Sequence, residues 1–180
     1  MKKQLLIVDG YNMIGYWPEL SRLKKQNLLE EARNTLLKDL SDYAKFEGIE
    51  VVVVFDAMNV PGIASSYKMY QAEVIFTAED ETADSYIEKM TGERMNVLTQ
   101  VSVATSDLAE QWVVFSQGAL RVTAKELYQR VHASQKNISA FAELQLEQGN
   151  RRNSPWNSNQ MKNLENCMDF LMGEKEKSKE

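Results

Sequence analysis

The chain is poor in cysteine and proline, and it has no long apolar run. Its 180 residues include a single cysteine, Cys167, and three prolines. One cysteine excludes an internal disulfide framework and a zinc site made of cysteines, and it is typical of a reducing compartment. The longest apolar stretch, residues 51–55, has the length of a strand and is too short to cross a bilayer. We therefore expect a cytoplasmic globular protein with no membrane partner.

Three further signals are missing. His132 is the only histidine, so a pair of imidazole ligands to one metal is excluded, and we expect an ordinary surface or packed side chain there. Residues 1–5 carry two lysines but lack the apolar region and the cleavage site of a signal peptide. No Gly-x-Gly-x-x-Gly follows the first apolar run, which disfavours a dinucleotide-binding domain.

Positive charge is scarcer than negative charge. The chain has 21 lysines and arginines against 26 aspartates and glutamates, which gives a net charge of -5. Such a chain is not expected to bind a bare phosphate backbone tightly. Contact with nucleic acid would need a local basic patch, a metal ion, or a larger partner that supplies the affinity.

An uninterrupted apolar run, residues 5–8, lies near the start of the chain and ends at Asp9. Apolar residues without polar alternation are typical of a strand buried on both faces, as in a parallel sheet. Gly10 follows, and glycine lets the chain turn sharply or lets another group approach its backbone. Asp9 should therefore stand at the carboxyl end of a central strand, where open α/β sheets bind their ligands.

Apolar strands and amphipathic helices alternate along the rest of the chain. We predict further strands at residues 51–55, 73–77, 101–104 and 119–122, and helices at residues 23–46, 83–94, 108–115 and from 124 onward. The predicted helix ends are marked by Gly48, Thr82 and Thr123. Turn-forming pairs indicate a mobile loop at residues 57–71, and Trp17 and Pro18 indicate another loop.

This alternation predicts an α/β fold, a three-layer sandwich with a mostly parallel central sheet. We expect residues 1–148 to form one domain. Residues 149–180 should form a polar linker, a short C-terminal helix and a charged tail.

Acidic residues follow the predicted strands at the points where these end. They are Asp9, Asp56, Glu81, Asp84 and Asp107. Because the carboxyl ends of parallel strands share one edge of a sheet, we expect all five to face one crevice. Like charges at short distance raise each other's pKa and oppose folding, and a divalent cation removes that cost. Mg²⁺ or Mn²⁺ takes one or two carboxylates and accepts phosphate oxygens, so the pattern predicts a metal site acting on a phosphodiester.

Each of these acidic residues also has a purely structural interpretation. Asp9 and Asp56 can be turn residues. Glu81 and Asp84 can compensate a helix dipole, and Asp107 can cap a helix in competition with Thr105 or Ser106. The functional interpretation is favoured because five unrelated caps would all have to fall at one edge of the sheet.

The basic and aromatic candidates for contact with RNA are few. Lys68 lies between Tyr67 and Tyr70 in the predicted mobile loop, whereas Arg121, Lys125, Arg130, Arg151 and Arg152 lie later in the chain. A solvated surface is the plainer interpretation of all of them. Tyr16 and Trp17 follow Asp9 and could stack on a base, although packing is the simplest role for Trp17, Trp112 and Trp156.

Six short segments, taken together, resemble the NYN-domain family of PIN-like nucleases, in particular its YacP-like branch. They are residues 8–14, 54–57, 74–77, 81–84, 104–107 and 117–121. Any one of them would be a weak signal, but several in register make the resemblance specific. It covers roughly residues 5–131 and implies a PIN-like α/β sandwich that hydrolyses RNA with a metal.

The resemblance also implies roles for individual residues. It assigns metal binding by Mg²⁺ or Mn²⁺ to Asp9, Asp84 and Asp107, with Asp56 and Glu81 as helpers and Asn12 orienting the metal shell or the substrate. The implied activity is that of an endoribonuclease, a hydrolase that cleaves mRNA at the A site of the ribosome. The RNA- or ribosome-binding candidates are then Lys68, Arg121, Lys125, Arg151 and Arg152.

Two other functions compete with this one. A dehalogenase-type phosphatase also starts from an aspartate after the first strand, but its chemistry needs a second aspartate where this chain has Tyr11. The other alternative is a non-catalytic RNA- or ribosome-binding module of PIN-like fold. The presence of all five acidic residues argues against such a decayed site.

Overall fold

The structure is a computed structural model that describes residues 2–56, 65–69, 71–153, 160 and 162. The described residues belong to two compact units, 1–138 and 139–180, and the sheet lies in the first. The domain boundary expected at residue 148 stays a prediction.

The first unit contains a six-stranded sheet. Its strands are β1 (Lys3–Asp9), β2 (Glu50–Phe55), β3 (Ser65–Met69), β4 (Ala72–Phe76), β5 (Thr99–Ala104) and β6 (Leu120–Val122). They lie in the order β3-β4-β2-β1-β5-β6, with five parallel strands and β3 antiparallel to β4 at one edge. The predicted mostly parallel sheet is confirmed, and β1 lies between β2 and β5 near its centre.

Helices connect these strands and extend the chain. They are α1 (Gly10–Tyr16), α2 (Pro18–Lys25), α3 (Leu29–Glu47), α4 (Ala83–Arg94), α5 (Leu108–Ser116) and α6 (Ala124–Asn153). In the part of the chain that the structure describes, no helix has both the length and the apolarity to cross a membrane.

The sheet is buried on both faces, and β1 shows why. Leu6 and Val8 pack into a core with residues of α1, α2, α3 and α6. Leu5 and Ile7, which point the other way, pack into a second core with residues of α4 and α5. Full burial of such a side chain contributes about 1.5–3 kcal/mol, so the apolar run of β1 holds all three layers together. The predicted three-layer α/β sandwich is confirmed.

The predicted helix ends are confirmed where the sequence marked them. Gly48 ends α3 in the left-handed conformation, with φ of 68°, and Thr82 caps α4 through a bond from the Ser85 N–H. At the start of α6, Thr123 Oγ1 accepts from the Glu126 N–H at 3.2 Å, and Glu126 Oε2 accepts from the Thr123 N–H at 2.8 Å. This reciprocal pair is a capping box.

The loop expected around Trp17 and Pro18, and the single helix expected at residues 23–46, are wrong. The chain folds there into α1, α2 and α3. Pro18 begins α2, because proline at the first helical position loses no hydrogen bond. Asn27 separates α2 from α3 with φ of 61°, a left-handed conformation that asparagine tolerates better than most residues.

The loop expected at residues 57–71 is corrected in part. Residues 57–64 and 70 lie outside the described residues, but residues 65–69 form the edge strand β3. Tyr67 and Lys68 therefore pair with β4 rather than lying in a loop. An edge strand pairs on one side only, so it needs no continuous apolar run and is easily missed in a sequence.

The polar segment predicted as a linker from residue 149 begins as helix, because α6 continues through Arg151 and Arg152 to Asn153. The short C-terminal helix expected around residues 161–171, the charged tail, Trp156 and Cys167 lie outside the described residues, apart from positions 160 and 162.

Candidate active site

Asp9 is held where β1 turns into α1. It is the last residue of the strand and the N-cap of the helix, and its Oδ1 accepts from the Asn12 N–H at 3.0 Å. The side-chain amide of Asn12 donates to Oδ2, also at 3.0 Å. Asp9 is only 6% exposed, so these bonds fix a buried carboxylate in one orientation.

Gly10 makes this turn possible because an aromatic ring occupies the space of a side chain. A Cβ added at Gly10 would lie 2.2 Å from Cε1 of Phe55. The Phe55 ring is fully buried, stacks on Phe76 at 5.4 Å and meets the ring of Tyr11 edge-on at 5.1 Å. The close packing of Gly10 on Phe55 holds the ends of β1 and β2 together, and with them Asp9 and Asp56.

Asn12 also links the end of β1 to the end of β5. Its Nδ2 donates to Thr105 Oγ1 at 3.2 Å, and the Ser106 hydroxyl donates to its Oδ1. Thr105 is fully buried, and its Oγ1 also accepts from the Asp107 N–H at 3.1 Å. The carbonyl of Thr105 accepts from the side chain of Gln111 at 2.8 Å. One hydrogen-bond network therefore spans Asp9 and the backbone of Asp107.

An open cleft of about 570 Å³ lies over these strand ends. Its lining comprises Asp9, Tyr11, Asn12, Gly15, Tyr16, Asp56, Thr82, Ala83, Asp84 and Ser106. The structure thus brings Asp9, Asp56 and Asp84 into one crevice, together with Asn12. Asp107 lies beside them at an exposed position, close enough for its charge to act on Asp84.

Two carboxylates of the cleft, Asp9 and Asp84, have a raised pKa. Partial loss of solvent raises the pKa of Asp84, which is exposed at the mouth of the cleft, and the charges of Asp9, Asp107 and Asp56 raise it further. Burial likewise raises the pKa of Asp9, an effect that the hydrogen bonds from Asn12 oppose and the charge of Asp56 reinforces. A site of this kind gains stability from any cation that enters it.

The other candidate residues lie elsewhere. Glu81 is half-buried in the turn before α4, outside this lining, and its charge adds to the effect of burial in raising the pKa of Tyr86. Arg121 and Lys125 are exposed on β6 and α6. Lys68 lies in β3, and Arg151 and Arg152 lie in α6; for these three residues the structure describes the backbone and not the side chain.

The solvent exposure of Trp17 and Trp112 tests the roles expected for these two side chains. Trp17 is 1% exposed, and its Nε1 donates to the carbonyl of Ala124, so it packs and cannot stack on a base. Trp112 is instead 66% exposed on α5, which corrects the packing role expected for it. His132 is half-buried against Trp17 and Tyr128, with Nδ1 bound to Gln135 Oε1.

Sequence reasoning missed several residues that shape the site. Gln111 is 2% exposed and carries no charge. The only sequence feature that could have indicated it is its place on the same side of α5 as apolar residues. Thr105 was considered only as a helix cap. Tyr11 lines the cleft and its hydroxyl accepts a bond from Arg33 Nη1 at 3.2 Å, a contact between residues 22 positions apart that no local pattern signals.

The donor set of the cleft suits a hard divalent cation, because every candidate ligand is a carboxylate or amide oxygen. Among the described residues, no three His, Cys, Asp or Glu side chains are arranged closely enough to enclose a metal by themselves. Mg²⁺ is usually held by one or two carboxylates and keeps several waters. The mutually repelling carboxylates therefore fit such an ion, with substrate and water completing its shell.

The parallel sheet order and the acidic crevice at its carboxyl edge define an α/β protein of the PIN-like nuclease class. The family profile of the YacP-like NYN domain matches residues 6–169, and the chain belongs to that family. The resemblance predicted from the six segments is confirmed.

Two relatives illustrate the similarity. The "Uncharacterized protein YacP" of Bacillus subtilis (strain 168) is 48% identical over 134 residues, which are 74% of this chain and 78% of the relative. A crystal structure of Rae1 (YacP) from Bacillus subtilis matches with a TM-score of 0.72 and 38% identity, over 96% of this chain and 94% of that one. A mutant of the same protein matches with a TM-score of 0.68 and 46% identity, over 76% and 80% of the two chains.

Proposed function

We propose that this protein is a metal-dependent endoribonuclease that cleaves mRNA in the cytoplasm while the mRNA is held in the A site of a translating ribosome. The observation that carries the proposal is the crevice in which Asp9, Asp56 and Asp84 converge, with Asp107 beside it. Membership of a PIN-like nuclease family supports the reaction class. That the substrate is mRNA, and that the ribosome presents it, are the further steps that we propose.

We assign Asp9, Asp84 and Asp107 to the site of Mg²⁺ or Mn²⁺, which would contact one or two of these carboxylates directly and the rest through bound water. Such an ion, when bound, activates water and stabilises charge on a phosphodiester. Asn12 is a positioning residue, because its amide fixes the Asp9 carboxylate and ties it to β5 through Thr105. Asp56 and Glu81 are assigned supporting roles, and a carboxylate at the rim can accept a proton from the attacking water.

The charge of the chain supports delivery of the substrate by a large partner. A net charge of -5 and a carboxylate-lined cleft oppose the approach of free RNA. Lys68, Arg121, Lys125, Arg151 and Arg152 are our candidates for contact with RNA or the ribosome. We expect binding to naked RNA to be weak and to fall steeply with salt.

The test compares one labelled mRNA in two forms, naked and held on translating ribosomes, with equal amounts of purified protein at physiological salt. The proposal expects site-specific cutting of the ribosome-bound form and little cutting of the naked form. Equal, rapid and site-specific cutting of the naked mRNA would remove the ribosome from the proposal and leave an autonomous nuclease. No cutting of either form would favour the non-catalytic binding module.

A further inference from the structure

The cleft has the wrong charge for the substrate we propose. Three carboxylates line it, and among the described lining residues none is a lysine or an arginine. A bound divalent cation would offset the charge at the reacting phosphate. The neighbouring phosphates of an RNA strand would still face an acidic wall, so a further cation near the cleft is needed to position the strand.

Arg33 brings a positive charge to this wall. It lies near the start of α3, and its Nη1 donates to the hydroxyl of Tyr11, which lines the cleft. The Tyr11 ring is in turn held edge-on against the buried ring of Phe55 at 5.1 Å. Packing against β2 therefore holds the Tyr11 ring of α1, and the hydrogen bond from Arg33 of α3 brings the guanidinium to its hydroxyl.

The partner of Arg33 is unusual for an arginine. A guanidinium has five N–H donors in a planar fork that matches a carboxylate or a phosphate. Within the described residues, Arg33 has no carboxylate at salt-bridge distance, although the protein is rich in acidic side chains. Its acceptor in this part of the chain is the uncharged hydroxyl of Tyr11, so most of its donors remain available to an anion.

We propose that Arg33 and Tyr11 form a phosphate-binding subsite that holds a backbone phosphate of single-stranded RNA beside the scissile one. Arg33 supplies the charge and Tyr11 holds the fork at the edge of the cleft. The inference rests on the proposed function, because it names how the same site positions its substrate. Both residues are positioning residues, and the cleavage chemistry stays with the acidic side chains.

The test is the salt dependence of RNA binding, which counts the phosphates that the protein neutralises. A fluorescent single-stranded RNA oligonucleotide is titrated with the full chain by anisotropy over a series of salt concentrations. Ca²⁺ replaces Mg²⁺, since it also prefers oxygen ligands, and a gel confirms that the RNA stays intact. On a single strand, each neutralised phosphate contributes about 0.7 to the slope of log affinity against log salt.

Three variants separate charge from structure. Arg33→Gln should weaken binding roughly tenfold or more and make the slope shallower by about 0.7, because its neutral side chain neither forms a charge-assisted hydrogen bond nor neutralises a phosphate. Arg33→Lys keeps the charge, so it should keep the slope. It should lose affinity, because an ammonium cannot make the two parallel hydrogen bonds that a guanidinium makes to a phosphate. Arg22→Gln, at an exposed arginine of α2, is the matched control and should change neither.

The outcomes distinguish the two proposals. If the parent chain binds RNA and Arg33→Gln keeps its slope, the subsite is refuted while the nuclease proposal stands. A shallower slope in Arg33→Lys as well as in Arg33→Gln would also refute it, because the role of Arg33 would then be structural. If the parent chain binds no RNA even at low salt, the subsite is refuted as well, and the proposed function is then decided separately by the cutting of ribosome-bound mRNA.

Discussion

Among individual side chains, Asp84 acts against the stability of the fold at neutral pH when no metal is present. Partial loss of solvent and the neighbouring negative charges raise the pKa of Asp84 above the ordinary aspartate value of 3.8. A folded protein in which this pKa is raised binds a proton more tightly than the unfolded chain does. Stability is therefore lost as pH rises from the pKa of Asp84 in the unfolded chain through its pKa in the folded protein. The whole loss of stability is present at neutral pH.

Replacing Asp84 with asparagine should remove that penalty when no metal is present. In a chelator at pH 7, Asp84→Asn is expected to be at least as stable as the parent chain, and the difference should shrink as pH falls towards 4. With Mn²⁺ the order should reverse, because only the parent chain keeps the ligand. Urea unfolding across the pH range measures both effects.

Asp80→Asn is the matched control for this experiment, because Asp80 is exposed in the turn before α4 and outside the cleft lining. It should change stability little at any pH, with or without metal. A chelator-treated Asp84→Asn protein that is clearly less stable than the parent chain at pH 7 would contradict a cluster of mutually repelling carboxylates.

Gly10 provides a second prediction, which concerns packing rather than charge. Gly10→Ala should destabilise the protein by about 1–3 kcal/mol, because the added Cβ overlaps a buried Phe55 ring that Tyr11 and Phe76 hold in place. Gly15→Ala is the control, since an added Cβ there meets no atom within 4 Å. It should be neutral or stabilising by up to about 1 kcal/mol. If the urea midpoints of the two variants are equal, the Phe55 ring can move aside to make room for the added Cβ.

Among the helices and strands, the start of α6 depends on its capping box. Thr123→Ala removes the side-chain acceptor for the Glu126 N–H, and it should cost about 0.5–2 kcal/mol of stability. Thr35→Ala is the control, because Thr35 is an exposed residue within α3 whose hydroxyl donates to the Glu31 carbonyl and caps no helix end. Thermal unfolding of both variants measures the loss of stability. An equal loss in the two variants would show that the hydrogen bond at the cap does not stabilise α6.

The same local signals explain how much of the fold the sequence could predict. Buried parallel strands, Gly48, Thr82 and Thr123 were all visible, since each depends on nearby residues. β3 was missed because an edge strand carries no apolar run, and the division of residues 10–47 into three helices depends on Pro18 and on the left-handed Asn27. The convergence of Asp9, Asp56 and Asp84 followed from strand order. The Arg33–Tyr11 contact did not, because it depends on how α1 and α3 pack.

For the chain as a whole, the net charge of -5 is the reason why we propose that a ribosome delivers the substrate. If Arg151 and Arg152 contact the ribosome, replacing both with glutamate should reduce cosedimentation with ribosomes, because attraction to RNA phosphates becomes repulsion. Stabilisation by Mn²⁺ should be unchanged, because the acidic cleft keeps all its side chains. Replacing Lys24 and Lys25 of α2, which are also adjacent and exposed, with glutamate is the charge-matched control. Equal loss of cosedimentation in both proteins would show that overall charge, and not this segment, governs binding.

The central claim is that the acidic cleft cuts RNA with the help of a metal, and one cleavage assay tests it most directly. Labelled mRNA on translating ribosomes is incubated with the parent chain, Asp9→Asn, Asp84→Asn or the control Asp80→Asn, after folding of each has been verified. We predict site-specific cutting by the parent chain and Asp80→Asn, and a loss of at least about a hundredfold in Asp9→Asn and Asp84→Asn, since each loses a charge that stabilises the reacting centre. Parent-like cutting by either cleft variant would contradict the account and leave that aspartate with a purely structural role.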